Sequence, residues 1–186
     1  MSISTVGHSV HSIDDFIGIL QAHGIRQLVD VRTMPRSRRV PHFNREALSA
    51  SLHGADIVYR HMPGLGGLRH TKPGSINTGW RNASFRGYAD YMQTLEFREN
   101  VDKLIELASV APTAIMCAEA VPWRCHRSLI ADALMARGIQ AMEILSAKQC
   151  RPHTLTPFAH VNGIEVTYPT ATSEDSGNLK LEFDGQ

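Results

Sequence analysis

Residues 116–128 read MCAEAVPWRCHRS, with an apolar run before them and an amphipathic run after them. Residues 113–116 predict a buried strand, and the apolar spacing within residues 126–137 predicts a helix. A strand, a turn and a helix in this order form the repeating unit of a parallel α/β sheet. The segment therefore places Cys117 at the carboxyl end of a strand and Cys125 at the start of a helix, where open α/β sheets bind their ligands.

The same alternation of strands and helices extends along most of the chain. Further strands are predicted at residues 3–6, 27–31, 56–62 and 139–145, and further helices after caps at Ser12 and Asn44 and at residues 84–92 and 94–108. About five strands joined by helices predict one three-layer α/β domain over residues 1–169, with a mostly parallel, doubly wound sheet. Asn162-Gly163 predicts a C-terminal hairpin, and the polar residues 170–186 predict a disordered tail.

Composition restricts the classes of protein to consider. No stretch approaches the roughly 18 consecutive apolar residues of a membrane span, and the first residues lack the basic and apolar regions of a secretion signal. We therefore expect a cytoplasmic protein with no membrane partner. In that compartment Cys117, Cys125 and Cys150 are expected to be free thiols or ligands and not a disulfide framework. The sequence does not indicate an oligomeric state.

The segment 116–128 also carries the densest reactive chemistry in the chain. We predict Cys117, Glu119, Cys125 and His126 as catalytic residues, with His8 joining them from the end of the first strand. Neighbouring cations and a helix N-terminus favour a thiolate, which acts as a nucleophile. The same four residues of the segment are permissible ligands for zinc or iron, so a metal site stays open, although nothing in the sequence requires a cofactor. Whether the two thiols can form a disulfide is also open.

Arginine is the main cation of this chain, with fifteen arginines against four lysines. Its planar guanidinium suits phosphate and carboxylate groups. The predicted substrate-binding residues are Arg32, Arg36, Arg38, Arg124 and Arg127. The cluster at residues 32–39 is equally consistent with a solvated loop, and Arg32 with an ion pair to a nearby carboxylate.

Parallel strands of one sheet all end on the same side. We therefore expect the side chains that follow these strands, including His61, to converge, and we predict that Cys117, Glu119, Arg32 and His8 lie around one solvent-accessible cleft. The alternative is that the two histidines are structural.

Five short motifs occur in order along residues 3–168. They are TVGHS at 5–9, LVDVR at 28–32 with PRS at 35–37, LGG at 65–67, MCAE at 116–119 and CHR at 125–127. In these motifs the chain resembles the family catalogued as domain of unknown function 488. The resemblance implies a compact bacterial α/β protein and marks the motif residues as the site, but it implies no reaction.

Three functions remain consistent with these residues. The first is an enzyme, such as a thiol-dependent transferase or hydrolase, that acts on an anionic, phosphate-bearing substrate. The second is a metal-binding protein or metalloenzyme built on Cys117, Glu119, Cys125 and His126. The third is a nucleic-acid-binding protein in which the arginines and Trp80 bind the ligand and the thiols are structural.

Overall fold

The computed structural model describes residues 1–170, which form an α/β fold. The strands are β1 (Ser2–Gly7), β2 (Gln27–Asp30), β3 (Val58–His61), β4 (Thr113–Cys117), β5 (Gln140–Ser146), β6 (Gln149–Pro152), β7 (His160–Asn162) and β8 (Glu165–Thr167). The helices are α1 (Ile13–Ala22), α2 (Arg45–His53), α3 (Ala83–Met92), α4 (Leu95–Val110) and α5 (Arg127–Met135). The disordered tail predicted from residue 170 onward lies, from residue 171, outside the described residues.

Within residues 1–170 the central sheet has six strands in the order β3-β2-β4-β1-β5-β6. The first five are parallel and β6 is antiparallel to β5. β7 and β8 form a separate antiparallel hairpin, in which Gly163 adopts the positive φ of a tight turn. The predicted α/β class, parallel sheet and C-terminal hairpin are therefore confirmed, and β6 is an addition.

The core lies on both faces of the sheet. Leu28 belongs to a cluster with residues of α1 and α2, whereas its neighbour Val29 belongs to a cluster with residues of α3, α4 and α5. Ala114 and Ile115 of β4 divide between the two clusters in the same way. Successive side chains of a strand point to opposite faces, so a strand buried on both faces is apolar throughout. The three predicted layers follow from this.

The two predicted helix caps behave differently. The Ser12 hydroxyl accepts a hydrogen bond from the amide of Asp15 at 3.1 Å and so begins α1 as predicted. Asn44 precedes α2, but its side chain accepts from the amide of Ser37 at 2.6 Å and does not cap the helix. Asn44 thus anchors the arginine-rich loop after β2.

No helix among the described residues has the length and apolar character needed to cross a membrane.

Candidate functional site

The carboxyl ends of β1 and β4 lie side by side, as the strand order predicts. Gly7 pairs with Cys117, and beyond the strands the amides of His8 and Ser9 donate to the carbonyl oxygens of Cys117 and Ala118 at 3.0 and 3.1 Å. A Cβ on Gly7 would lie 1.8 Å from the carbonyl oxygen of the residue two positions after Cys117. Only glycine therefore allows the segment after β4 to lie against β1.

A cleft of about 360 Å³ opens at these strand ends, and we call it the thiol cleft. It brings together several of the predicted site residues, which come from the loop after β2 and from the segment between β4 and α5. They are Arg32, Cys117, Glu119, Arg124, Cys125 and His126. Gly67 and Phe85 complete other parts of its wall.

Cys125 and His126 form a close pair in this cleft. The Sγ atom of Cys125 and the Nδ1 atom of His126 are 3.5 Å apart, and Nε2 of the same ring lies 3.3 Å from the carbonyl oxygen of Val31. A carbonyl oxygen only accepts, so Nε2 carries a hydrogen, and Nδ1 faces the thiol, where it accepts the proton of the thiol or, once protonated, donates to the thiolate. Gly67 lies directly against the ring, since a Cβ there would be 2.5 Å from Nδ1.

The two thiols of the cleft have different acidities. Burial raises the pKa of Cys117 well above its usual range, and its hydrogen bond with Cys125 adds to this effect. Burial also raises the pKa of Cys125, but hydrogen bonds with Cys117 and His126 and the charges of His126 and Arg127 outweigh it and bring that pKa well below its usual range. These directions favour Cys125 over Cys117 as the thiol that ionises.

Arg127 lies behind the cleft as one of the largest fully buried side chains. Its Nη2 donates to the carbonyl oxygen of Glu119 at 2.9 Å. Its Nε and Nη1 atoms have no hydrogen-bond partner, and no carboxylate within residues 1–170 forms an ion pair with it. A buried cation without a counterion is costly. The charge of Arg127 lowers the pKa of Cys125 and so favours a negative charge on that thiol.

Arg32 belongs to a buried network and is not an unpaired cation. Its Nε and Nη2 donate to the carboxylate of Asp30 at 2.8 and 2.5 Å, and Tyr59 donates to the same carboxylate at 2.8 Å. Its Nη1 lies 3.2 Å from Nε2 of His8. Burial, followed by the charge of Arg32, lowers the pKa of His8 to about 4. His8 is therefore neutral, and its Nε2 lone pair is occupied by the guanidinium.

A second opening of about 410 Å³, the arginine cleft, adjoins the thiol cleft. His8, Arg36 and Arg39 line it, and Arg32 and Glu119 border both clefts. Arg38 is exposed and lines neither. His61 also remains outside both openings, where its Nε2 lies 2.9 Å from the carbonyl oxygen of Arg32.

Two residues of the long loop before α3, Arg69 and Trp80, have structural partners. The guanidinium of Arg69 lies 3.5 Å from the ring centroid of Tyr91 and donates to the carbonyl oxygens of Gly64 and Gly66. Trp80 packs against Phe85 and other aromatic rings. Neither Arg69 nor Trp80 lines the arginine cleft.

The described part of the chain contains no group of three or more His, Cys, Asp or Glu residues arranged to hold a metal ion. The contact of Glu119 with Cys117 is made by its backbone amide, which donates to Sγ at 3.3 Å. The alternative of a metal site on Cys117, Glu119, Cys125 and His126 therefore receives no support from this geometry.

The motifs marked Gly67 and Val31 as part of the site, but sequence reasoning gave neither residue a role. Both fall within or beside the motifs LGG and LVDVR, so the motifs were the available signal. Their role depends on contact with the ring of His126, which is about sixty residues or more away in the chain.

One family model, described as Domain of unknown function DUF488, matches residues 12–134. The chain belongs to this family. The matched region runs from the cap of α1 into α5, so it includes both thiols of the cleft and leaves out His8 and the strands from β5 onward. No curated protein and no solved structure shows a significant match to this DUF488 chain.

Proposed function

We propose that the protein is a thiol-dependent transferase or hydrolase that acts on an anionic, phosphate-bearing substrate, with Cys125 as the nucleophile. The pairing of Cys125 with Nδ1 of His126, whose other ring nitrogen is fixed by Val31, is the observation that carries this proposal. A nucleophile, a base and a group that orients the base are the elements that activate a thiol. The low pKa of Cys125 and the uncompensated charge of Arg127 support the same assignment.

The reaction follows from these positions. The Cys125 thiol gives its proton to Nδ1 of His126, and the thiolate attacks the phosphorus or carbonyl carbon of the substrate. The new bond to sulfur forms as the bond to the leaving-group oxygen breaks, and the imidazolium gives its proton to that oxygen. Water or an acceptor hydroxyl then displaces the sulfur, its proton passes to His126, and the thiol is restored.

Arg124 is the cation best placed for the substrate. It is exposed, it lines the thiol cleft, and no carboxylate among the described residues pairs with it. Arg127 is buried and acts on the thiolate instead. Glu119 is exposed between the two clefts and is the proposed second acid or base. A reducing cytoplasm would keep Cys117 and Cys125 as thiols.

The test is iodoacetamide labelling across pH, with the modified peptides identified by mass spectrometry. Cys125 should react with a midpoint below the ordinary value of about 8.5. Cys150 is the control in the same chain, because its side chain is exposed to the reagent. Partial desolvation of its thiol and the charge of Glu143 raise its pKa, so its midpoint should lie above that of Cys125. His126→Asn should move the midpoint of Cys125 upward, whereas Cys117→Ser retains a donor and should preserve reactivity. A folded protein in which Cys150 reacts and Cys125 does not would contradict the proposal.

A second proposal, nucleic-acid binding, is favoured by one observation. Arg36, Arg38 and Arg39 are exposed and have no ion-pair partner within residues 1–170. Oligonucleotide binding through them should weaken by roughly 0.7 to 0.9 in log K per contacted phosphate for each decade of salt. Arg36→Ala should reduce both the affinity and this slope. Binding unaffected by Arg36→Ala and by Arg124→Ala would contradict this function.

A further inference from the structure

A third opening, of about 410 Å³, contains both tryptophans of the chain, and we call it the tryptophan cleft. Its lining combines aromatic rings with a few charged groups. The residues that matter here are Trp80, Trp123, Glu143, Arg151, His153 and Phe158. Most of them follow residue 134 and so lie beyond the region that the family model matches.

The tryptophan cleft and the thiol cleft share two borders. Trp80 stacks on Phe85 with ring centroids 4.7 Å apart, and Phe85 lines the thiol cleft while Trp80 lines the tryptophan cleft. The second border is the 3-10 turn Pro122–Arg124, which carries Trp123 in one cleft and Arg124 in the other. Trp123 and Arg124 are consecutive residues, so the two clefts adjoin at this turn.

The polar floor of the tryptophan cleft is balanced in charge. His153 lies between two carboxylates, with Nδ1 2.9 Å from Glu143 and Nε2 2.8 Å from Asp132. Both ring nitrogens have carboxylate acceptors, and these hydrogen bonds raise the pKa of His153 although burial opposes them. Arg151 donates from Nε to Glu143 at 2.8 Å. With His153 protonated, two cations balance two carboxylates, and the floor then carries no net charge.

The aromatic wall above this floor is accessible. Trp123 is 60% exposed, and the guanidinium of Arg151 lies 5.6 Å from its ring centroid. An indole beside a neutral floor suits an uncharged planar ring, because stacking needs a π-face and no particular pattern of donors. The adjacent unpaired Arg124 suits a phosphate.

We propose that the tryptophan cleft binds the nucleobase of a nucleotide, stacked on Trp123, with the phosphate of the same ligand beside Arg124 in the thiol cleft. This assignment rests on the proposed function only for the end of the ligand that reacts with Cys125. The nucleotide is either free or the terminal residue of a single strand, since both present the same base and phosphate.

The test is calorimetric titration of the full chain with AMP, inorganic phosphate and a 5′-phosphorylated single-stranded oligonucleotide. Trp123→Ala should raise the Kd of AMP by roughly 5- to 150-fold, the equivalent of about 1–3 kcal/mol per stacked base. Trp123→Phe should retain most of the affinity for AMP. In both variants the Kd of inorganic phosphate should equal that of the wild type. Leu95→Ala is the matched control, because Leu95 is also a large apolar residue on the surface, 69% exposed, and lines neither cleft. In Trp80→Phe the remaining tryptophan emission comes from Trp123, and AMP should quench it.

Equal AMP affinity in the wild type and in Trp123→Ala would overturn the nucleobase site, as would the failure of both AMP and the oligonucleotide to bind. Either source of the nucleotide supports the site, and tighter binding of the oligonucleotide would identify the strand end as the source. Iodoacetamide labelling of Cys125 separates the two proposals. A reactive Cys125 with Trp123-independent binding would refute the nucleobase site alone, and an unreactive Cys125 with Trp123-dependent binding would refute the nucleophile alone.

Discussion

Gly67→Ala tests the site without removing any reactive group. The added Cβ would lie 2.5 Å from Nδ1 of His126 and 2.9 Å from two ring carbons, so the ring must move. Crowding of this kind costs about 1–3 kcal/mol of stability. The displaced ring loses its hydrogen bond to Cys125, and such a bond to a charged group contributes about 1.5–3 kcal/mol. With about 1.4 kcal/mol per pH unit, the pKa of Cys125 should rise by about one to two pH units.

The assay pairs urea unfolding with the pH dependence of iodoacetamide labelling at Cys125. Gly18→Ala is the control, because nothing lies within 4 Å of a Cβ at that position of α1. It should stabilise the protein by about 0.5–1 kcal/mol and leave the labelling midpoint unchanged. If Gly67→Ala folds and labels with the wild-type midpoint, His126 does not control the thiol, and the reasoning is refuted.

Two further predictions concern stability. Hydrogen bonds to Asp132 and Glu143 raise the pKa of His153 in the folded protein, although burial opposes them. The charged ring therefore stabilises the fold fully below the pKa of about 6.5 in the unfolded chain, and this stabilisation is lost as pH rises through the folded pKa. The free energy of unfolding of His153→Asn, measured in urea across pH, should not show this loss of stability. If its pH dependence equals that of the wild type, the His153 network is not the source of the loss. Gly7→Ala places a Cβ 1.8 Å from the backbone oxygen of Glu119. It should cost about 3 kcal/mol or more, and a variant of near wild-type stability in urea would contradict the close approach of these segments.

The fold was largely predictable because its signals are local. The cap at Ser12 and the turn at Asn162-Gly163 depend on residues within a few positions of one another, and the apolar runs of the parallel strands follow from burial on both faces. β6 was missed because its residues are all exposed, so they show no alternation of apolar and polar side chains.

The site was predictable only in outline. Strand order brings Cys117, Arg32 and His8 to one end of the sheet, and this follows from topology alone. The sequence left open whether Arg32 binds a substrate or pairs with a carboxylate, and the structure shows its ion pair with Asp30. Periodicity does not reveal that Gly67 lies against the ring of His126. The choice between the two thiols also required contacts, because Cys117 and Cys125 have similar burial and differ in the neighbours that stabilise a charge.

The pKa of the Cys125 thiol tests the central claim most directly. In Cys117→Ser/Cys150→Ser, Cys125 is the one cysteine left in the chain, so the ultraviolet absorbance of the thiolate as a function of pH reports on it alone. The serine at position 117 retains a donor toward the thiolate. We expect the midpoint of this variant to lie clearly below about 8.5. When His126→Asn is added, the midpoint should rise toward that value. A midpoint at or above about 8.5 in the folded protein would contradict the assignment of Cys125 as the nucleophile.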